Sequence, residues 1–277
     1  VVLGVLLGLV SYLGDPFAAG IQNSSLGLVL LALAAGLLAL PSAPLENWLG
    51  DSHPLNAPAW TLLQEYIGNL AYALVLRRLR LGMLLALTVI AGIVSAATAL
   101  TLGSYDTGWG LANFWGAPVR LAYPFLAGLL IYRLHDRLPR LKVGWGWLST
   151  VLALAFVMPR LPDLGALKLN GVYEGLCVLV LFPAIIIAGR HSSGRSATVA
   201  LCKLAGRISY PIYITHYPFV YLFMNLVGTQ KAPLSVTMPV AIALFPFTVG
   251  FAWLAYCWWD VPIRAMLNRR RKAMAQR

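Results

Sequence analysis

The chain has 277 residues, of which 60% are apolar and only 11% charged, with a mean hydropathy of +0.76. Ordinary soluble domains run at about 45–50% apolar and about 25% charged, so this balance argues against a soluble globular domain and for an integral membrane protein. Lys and Arg number 21 against 9 Asp and Glu, a formal charge of +12; in a membrane protein that excess sets sidedness, and no nucleic-acid partner is expected.

The chain opens on an apolar run, VVLGVLLGLV, with no Met and no basic stretch of the kind that starts a signal peptide. A missing amino-terminal part is therefore expected. A spanning helix needs about 20 mostly apolar residues. Weaker candidates lie at residues 1–14 and 26–40, and strong ones at 60–79, 81–102, 116–134, 143–158, 171–189, 208–228 and 236–259. The predicted fold class is all-α, a polytopic transmembrane helix bundle of about eight spans. Residues 1–264 form one membrane domain in this reading and 265–277 a basic cytoplasmic tail, whose Lys and Arg can rest on anionic membrane lipids. Residues 197–205 are expected to lie along the same surface as a short helix.

Basic residues test the alternation of the spans. The segments 77–80, 133–142, 190–207 and 264–277 carry 17 of the 21, while Arg160, Lys168 and Lys231 lie on the other side and Arg120 falls inside a span. That asymmetry places the carboxyl terminus in the cytoplasm and residues 41–59 outside. Cys177, Cys202 and Cys257 are far apart, with no CxxC pair and no neighbouring His. They read as small apolar fillers, and no metal site is expected.

Ionisable groups inside spans are costly and are functional candidates by default. Glu65, Arg120, Glu174 and His216 stand out. Offsets of four and seven put Glu65, Asn69 and Tyr72 on one helical stripe below Trp60 at the outer interface. Arg120 lies at similar depth in its own span, so the two opposite charges are expected to pair or to share a substrate. His216 sits about 14 Å beyond Arg207, near the bilayer midplane, where an imidazole can move protons or hold an acyl carbonyl. Pro211 and Pro218 free backbone carbonyls around it. Glu174 reads as reaching the outer surface, and His53, His135 and His191 as loop residues with surface roles. The loop SYDTGWGLANFWG offers Tyr105, Trp109, Phe114 and Trp115 as interfacial aromatics or as a sugar platform around Asp106.

Three stretches together resemble the membrane acyltransferase family 3, bacterial O-acyltransferases of surface and secreted glycans. LNAPAWTLLQEY is similar to its Asn-x-Pro-x-Trp-Ser/Thr-Leu-x-x-Glu signature, through Asn56, Pro58, Trp60, Thr61, Leu62 and Glu65. VRLAYPFLAGLLIYRL resembles its Arg, Phe and Gly span, through Arg120, Phe125 and Gly128. LAGRISYPIYITHYP and WWDVPIR resemble its Gly-x-Ile-Ser-Tyr-x-x-Tyr-x-x-His segment and its acidic-x-Pro-x-Arg ending, through Gly206, Ser209, Tyr210, Tyr213, His216, Asp260, Pro262 and Arg264.

The resemblance implies a bacterial inner-membrane enzyme that moves an acyl group, acetyl in the simplest case, from cytoplasmic acyl-CoA to a hydroxyl of a glycan or lipid-linked sugar. Acyl-CoA enters as donor substrate, with no bound cofactor. It further implies two amino-terminal helices, one with a catalytic histidine, ahead of Val1, and a single true crossing before residue 60, the other apolar run being re-entrant or interfacial. Glu65, Arg120 and His216 are the catalytic candidates; Trp60, Asn69, Tyr210 and Tyr213 are the substrate-binding ones. A transporter or flippase of sugar-linked lipids or small polar solutes, using the same buried charges, is the alternative, and a noncatalytic membrane scaffold a third reading.

Overall fold

The computed structural model describes residues 1–18, 24–46, 50–192 and 196–275. Arg195 and Arg277, counted in the charge asymmetry, lie outside them. The described residues form helices and no β-strand, the fold class of an all-α membrane bundle. By length and composition three helices among the described residues can cross a membrane, Leu81–Leu102, Leu169–Gly189 and Leu234–Met274. The other predicted spans are shorter, broken by proline or, like the one holding Arg120, interrupted by charge. The chain divides into two compact units, residues 1–60 with 197–277 and residues 61–196.

The first unit holds α1 (Val2–Leu13), α2 (Leu26–Leu37), α9 (Ser196–Thr215), α10 (Tyr217–Gly228), α11 (Leu234–Ala255) and α12 (Val261–Ala275). Gly4 of α1 abuts the Ile214 carbonyl, Ser11 Oγ donates to the Pro218 carbonyl at 2.9 Å, and Asp15 accepts from Asn225 at 2.5 Å. These contacts advance together along both chains, so α1 runs parallel to the α9–α10 rod. The close approach depends on Gly4 and Gly8, spaced as in small-xxx-small membrane packing: a Cβ on Gly8 would lie 1.6 Å from the Leu55 carbonyl oxygen.

Leu55 belongs to a segment that the charge pattern places outside with His53 on the surface. Instead, Asp51, Ser52, His53 and Asn56 are all buried. The 12-residue α2 spans only about 18 Å, and the chain after it tucks its irregular backbone against α1. Such backbone is tolerated when it is buried in protein and bonded: Ser42 N–H donates to the Ser52 carbonyl at 2.8 Å, and the His53 ring lies between Ser52 Oγ at 3.0 Å and the Ala39 carbonyl at 3.2 Å. The core here comprises Val5, Tyr12, Val29, Ala32, Leu45, Leu55, Ala57 and Tyr221.

Asp51 Oδ2 has no hydrogen-bond partner among the described residues, and burial pushes its carboxyl up to about 7 from 3.8. Between those two values the folded protein holds a proton that the unfolded chain has released. The stability that Asp51 contributes is therefore fully present below about pH 4, is lost as pH rises towards 7, and changes no further above that, a total of at most about 4 kcal/mol. Thermal unfolding in nanodiscs from pH 5 to 8 checks this. Asp51→Asn is expected to flatten the decline and raise the midpoint at pH 8; an equal slope in both proteins would show that Asp51 is not its source.

The helix continues through a π turn at Tyr256–Asp260 into α12, where the Asp260–Arg264 ion pair closes at 2.9 Å. Residues 265–275 prolong this helix without a break at 264. Likewise, residues 197–205 belong to α9 rather than to a separate short helix.

The second unit holds most of α3 (Ala59–Leu74), then a 3₁₀ turn (Leu76–Arg78), α4 (Leu81–Leu102), α5 (Gly116–Arg133), α6 (Trp145–Val157), α7 (Leu169–Leu176), a π turn (Cys177–Leu181) and α8 (Phe182–Gly189). At one end Arg133 donates to the carbonyls of Leu76 and Arg77 at 2.8 Å and to that of Leu79, while Arg190 donates to the His135 carbonyl at 2.7 Å. At the other, Lys168 Nζ donates to the Thr101 carbonyl at 2.6 Å. Residues 77–80, 133–140 and 190 thus gather at one end of this unit, the grouping that the charge alternation demands. Arg133 and Arg190 hold loop carbonyls there.

The π turn has a local cause. Pro183 carries no N–H, so the Leu179 carbonyl loses its helical donor and the turn widens. Tyr123 of α5 supplies the replacement, its hydroxyl donating to that carbonyl at 2.6 Å. Nearby, Gly171 lets α7 meet α4, for a Cβ there would lie 2.1 Å from the Ala99 carbonyl oxygen.

Candidate functional site

Within residues 61–196 a cleft of about 290 Å³ runs along α5, with Ser95, Tyr105 and Arg120 at one end and Ile131 and Ile186 at the other. Arg120 Nη1 donates to the Thr107 carbonyl at 2.8 Å, which fixes the guanidinium at one end of the cleft. Pro124, one turn on, has no N–H to give the Arg120 carbonyl. Tyr105 and Ser95 close the polar end, their hydroxyls 2.6 Å apart. Burial, with a smaller contribution from the Glu174 carboxylate, raises the Tyr105 phenol above its ordinary value despite the Ser95 bond, so it stays a neutral donor.

Glu174 does more than reach a surface. Its carboxylate accepts the Tyr105 N–H at 2.6 Å and the Asn170 amide at 2.7 Å, and Asn170 also donates to the Gly103 carbonyl at 3.1 Å. This network ties the 103–115 loop to α7 and positions Tyr105. Asp106 accepts from Trp109 Nε1 at 2.9 Å, a bond that orients the ring. A more polar hollow of about 350 Å³, lined by Gly103, Arg160, Asp163, Lys168 and Asn170, lies at the same end.

The expected pairing of Glu65 with Arg120 is not found. Among the described residues the ion pairs are His135–Asp136 and Asp260–Arg264. Glu65 and Asn69 do share an exposed face of α3, where the Asn69 amide donates to the Glu65 carbonyl at 2.9 Å. One residue earlier in the turn, Gln64 points inward and is buried. Similar depth therefore did not mean similar facing. Phe125 of the same span packs over Gly68, and Gly128 opens onto the cleft.

In the unit of residues 1–60 and 197–277, the polar candidates converge on the break between α9 and α10. Pro218 removes the N–H that would bond the Ile214 carbonyl, and the Asn56 amide donates to it instead at 3.3 Å. Tyr213 hydroxyl donates to the Pro58 carbonyl at 2.8 Å. The Asn-x-Pro and Tyr-x-x-His motifs are thus bound to one another. Tyr210 is exposed on α9, and Trp60 is half-buried at the start of α3.

His216 stands at the break, half-buried, with Tyr217 edge-on at 5.5 Å and Tyr213 tilted at 6.3 Å. Its Nδ1 lies 3.0 Å from both the Ile212 and the Tyr213 carbonyls. Two acceptors at Nδ1 require the proton there, an assignment from the hydrogen-bond pattern. In the neutral ring the lone pair is then on Nε2, as a general base needs.

Neither a curated protein nor a solved structure matches the chain. A family model described as an acyltransferase domain, that of acyltransferase family 3, matches residues 1–257. With that match over the greater part of its length, the chain belongs to acyltransferase family 3 and is a membrane acyltransferase.

Proposed function

We propose that the protein transfers an acyl group from acyl-CoA, reached from the cytoplasmic side of a bacterial inner membrane, to a hydroxyl of a surface or secreted glycan or its lipid-linked precursor. The observation that carries the reading is the cleft of residues 61–196, apolar along its length and closed at one end by a fixed guanidinium. An acyl chain needs the first feature and its carbonyl the second.

The reaction breaks the thioester C–S bond and forms an ester C–O bond, and the hydroxyl proton ends on the released CoA thiol. Charge develops on the carbonyl oxygen in the transition state, where a guanidinium stabilises it. In the unit of residues 1–60 and 197–277, His216 Nε2 offers a lone pair that can take a hydroxyl proton. Glu65 and Asn69, on one exposed face, offer an acceptor and a donor to sugar hydroxyls; Trp60, Tyr210 and Tyr213 offer rings and phenols to the same kind of ligand. The carboxyl terminus is cytoplasmic in this reading, its Lys and Arg against anionic headgroups.

The test is made in cells whose surface glycan lacks O-acyl groups. Expressing the protein in its encoded full length is expected to add base-labile esters to the glycan, and Glu65→Ala to add far fewer at equal membrane abundance. A glycan that stays free of esters while the protein is folded in the membrane would overturn the acceptor assignment.

A further inference from the structure

We propose that the cleft along α5 is a site for an acyl chain of medium length, longer than acetyl, and that Gly128 sets the length it admits. This rests on the acyl-transfer reading above and goes further by naming the class of donor.

Size is the first argument. A cavity of about 150 Å³ takes a benzene-sized guest, and this one has about 290 Å³. That is room for a chain of about eight to ten carbons, several times an acetyl group. Shape is the second. Arg120 and Ile131 both line the cleft and are eleven residues apart on α5, or about 16 Å at the α-helical rise. A long narrow space fits an extended chain better than a compact polar group.

Polarity is graded along the same axis. Arg120, Ser95 and Tyr105 form one end, and beyond them come Ala127, Ile131, Phe182 and Ile186. A thioester or ester carbonyl matches the first group and methylenes match the second.

Gly128 lies two thirds of the way down. A Cβ built there meets nothing within 4 Å, so a side chain would enter the cleft rather than strike a neighbouring helix. Its absence keeps the far end open. Leu at this position would shorten the available channel, whereas Leu at Gly82, also open and outside the cleft, would not.

The experiment uses the full-length protein in lipid nanodiscs with CoA, acetyl-CoA, octanoyl-CoA and octanoic acid, reading the thermal midpoint and the rate of transfer. Octanoyl-CoA is expected to raise the wild-type midpoint more than acetyl-CoA or CoA, and Gly128→Leu to abolish the difference. The ratio of octanoyl to acetyl transfer is expected to fall at least tenfold in Gly128→Leu and to fall less in Gly128→Ala. In Gly82→Leu it should move less than twofold. Equal midpoint shifts with acetyl-CoA and octanoyl-CoA, or an unchanged ratio in Gly128→Leu, would overturn the proposal. So would octanoic acid alone reproducing the whole shift, the behaviour of a groove for lipid tails. A Gly128-dependent octanoyl-CoA shift without transfer to any glycan would uphold the chain site and sink the acceptor reading instead.

Discussion

His216→Asn is expected to cut acyl transfer by about 10²–10⁴-fold, the usual contribution of a positioned general base, while the thermal midpoint moves by only a few degrees. The Asn amide can still donate to the Ile212 and Tyr213 carbonyls that Nδ1 faces at 3.0 Å. It has no nitrogen lone pair to replace Nε2. His216→Ala removes both features, so it is expected to lose transfer to the same extent and to lose stability as well, because two carbonyls at the α9–α10 break lose a donor. Measuring kcat, KM and midpoint in both variants separates chemistry from architecture. If His216→Asn transfers at the wild-type rate, the histidine serves only to hold the helix break.

Arg120→Gln is expected to lower kcat by about 10²–10³-fold with a smaller change in KM for the acyl donor, the pattern of a group that acts on charge developing in the transition state. Gln keeps a donor but is two bonds shorter than the Nη1 that now holds the Thr107 carbonyl at 2.8 Å, so the thermal midpoint is read beside kcat to separate loss of the loop contact from loss of charge. Lysine restores the charge but not the planar fork, and Arg120→Lys is expected to recover part of kcat. Equal kcat in wild type and Arg120→Gln would show that the guanidinium only ties α5 to its neighbouring loop. A loss seen entirely in KM would assign it to ground-state binding instead.

The fold class was legible because composition and basic-residue spacing report the bilayer directly. Arg77, Arg133 and Arg190 are tens of residues apart, yet their segments gather at one end of residues 61–196. Proline positions were legible too, since a missing N–H has one address: Pro218 frees Ile214, and Pro183 frees Leu179. What the sequence could not give was the donor that answers each freed carbonyl. Asn56 lies 158 residues from Ile214, and Tyr123 lies 56 from Leu179; nothing local marks either.

Burial of His53 and Asp51 was hidden for a related reason. A polar loop after a short apolar helix looks solvated, and only the glycines of α1, by admitting the Leu55 backbone, show that it packs inward. Direct pairing of Glu65 with Arg120 was expected, and is not found among the described residues, because depth along a helix was readable while the facing of separate helices was not. The Asn170–Glu174–Tyr105 network went unseen, although its i, i+4 spacing on α7 was a usable signal.

The most direct test follows both products in sealed proteoliposomes that contain the full-length protein, an acyl-CoA labelled in its acyl group, and a glycan acceptor. The account predicts one CoA thiol released for each labelled ester formed on the glycan, with neither product when acceptor or donor is omitted beyond slow hydrolysis. Movement of glycan or donor across the bilayer with no ester formed, as a transporter would give, would contradict it.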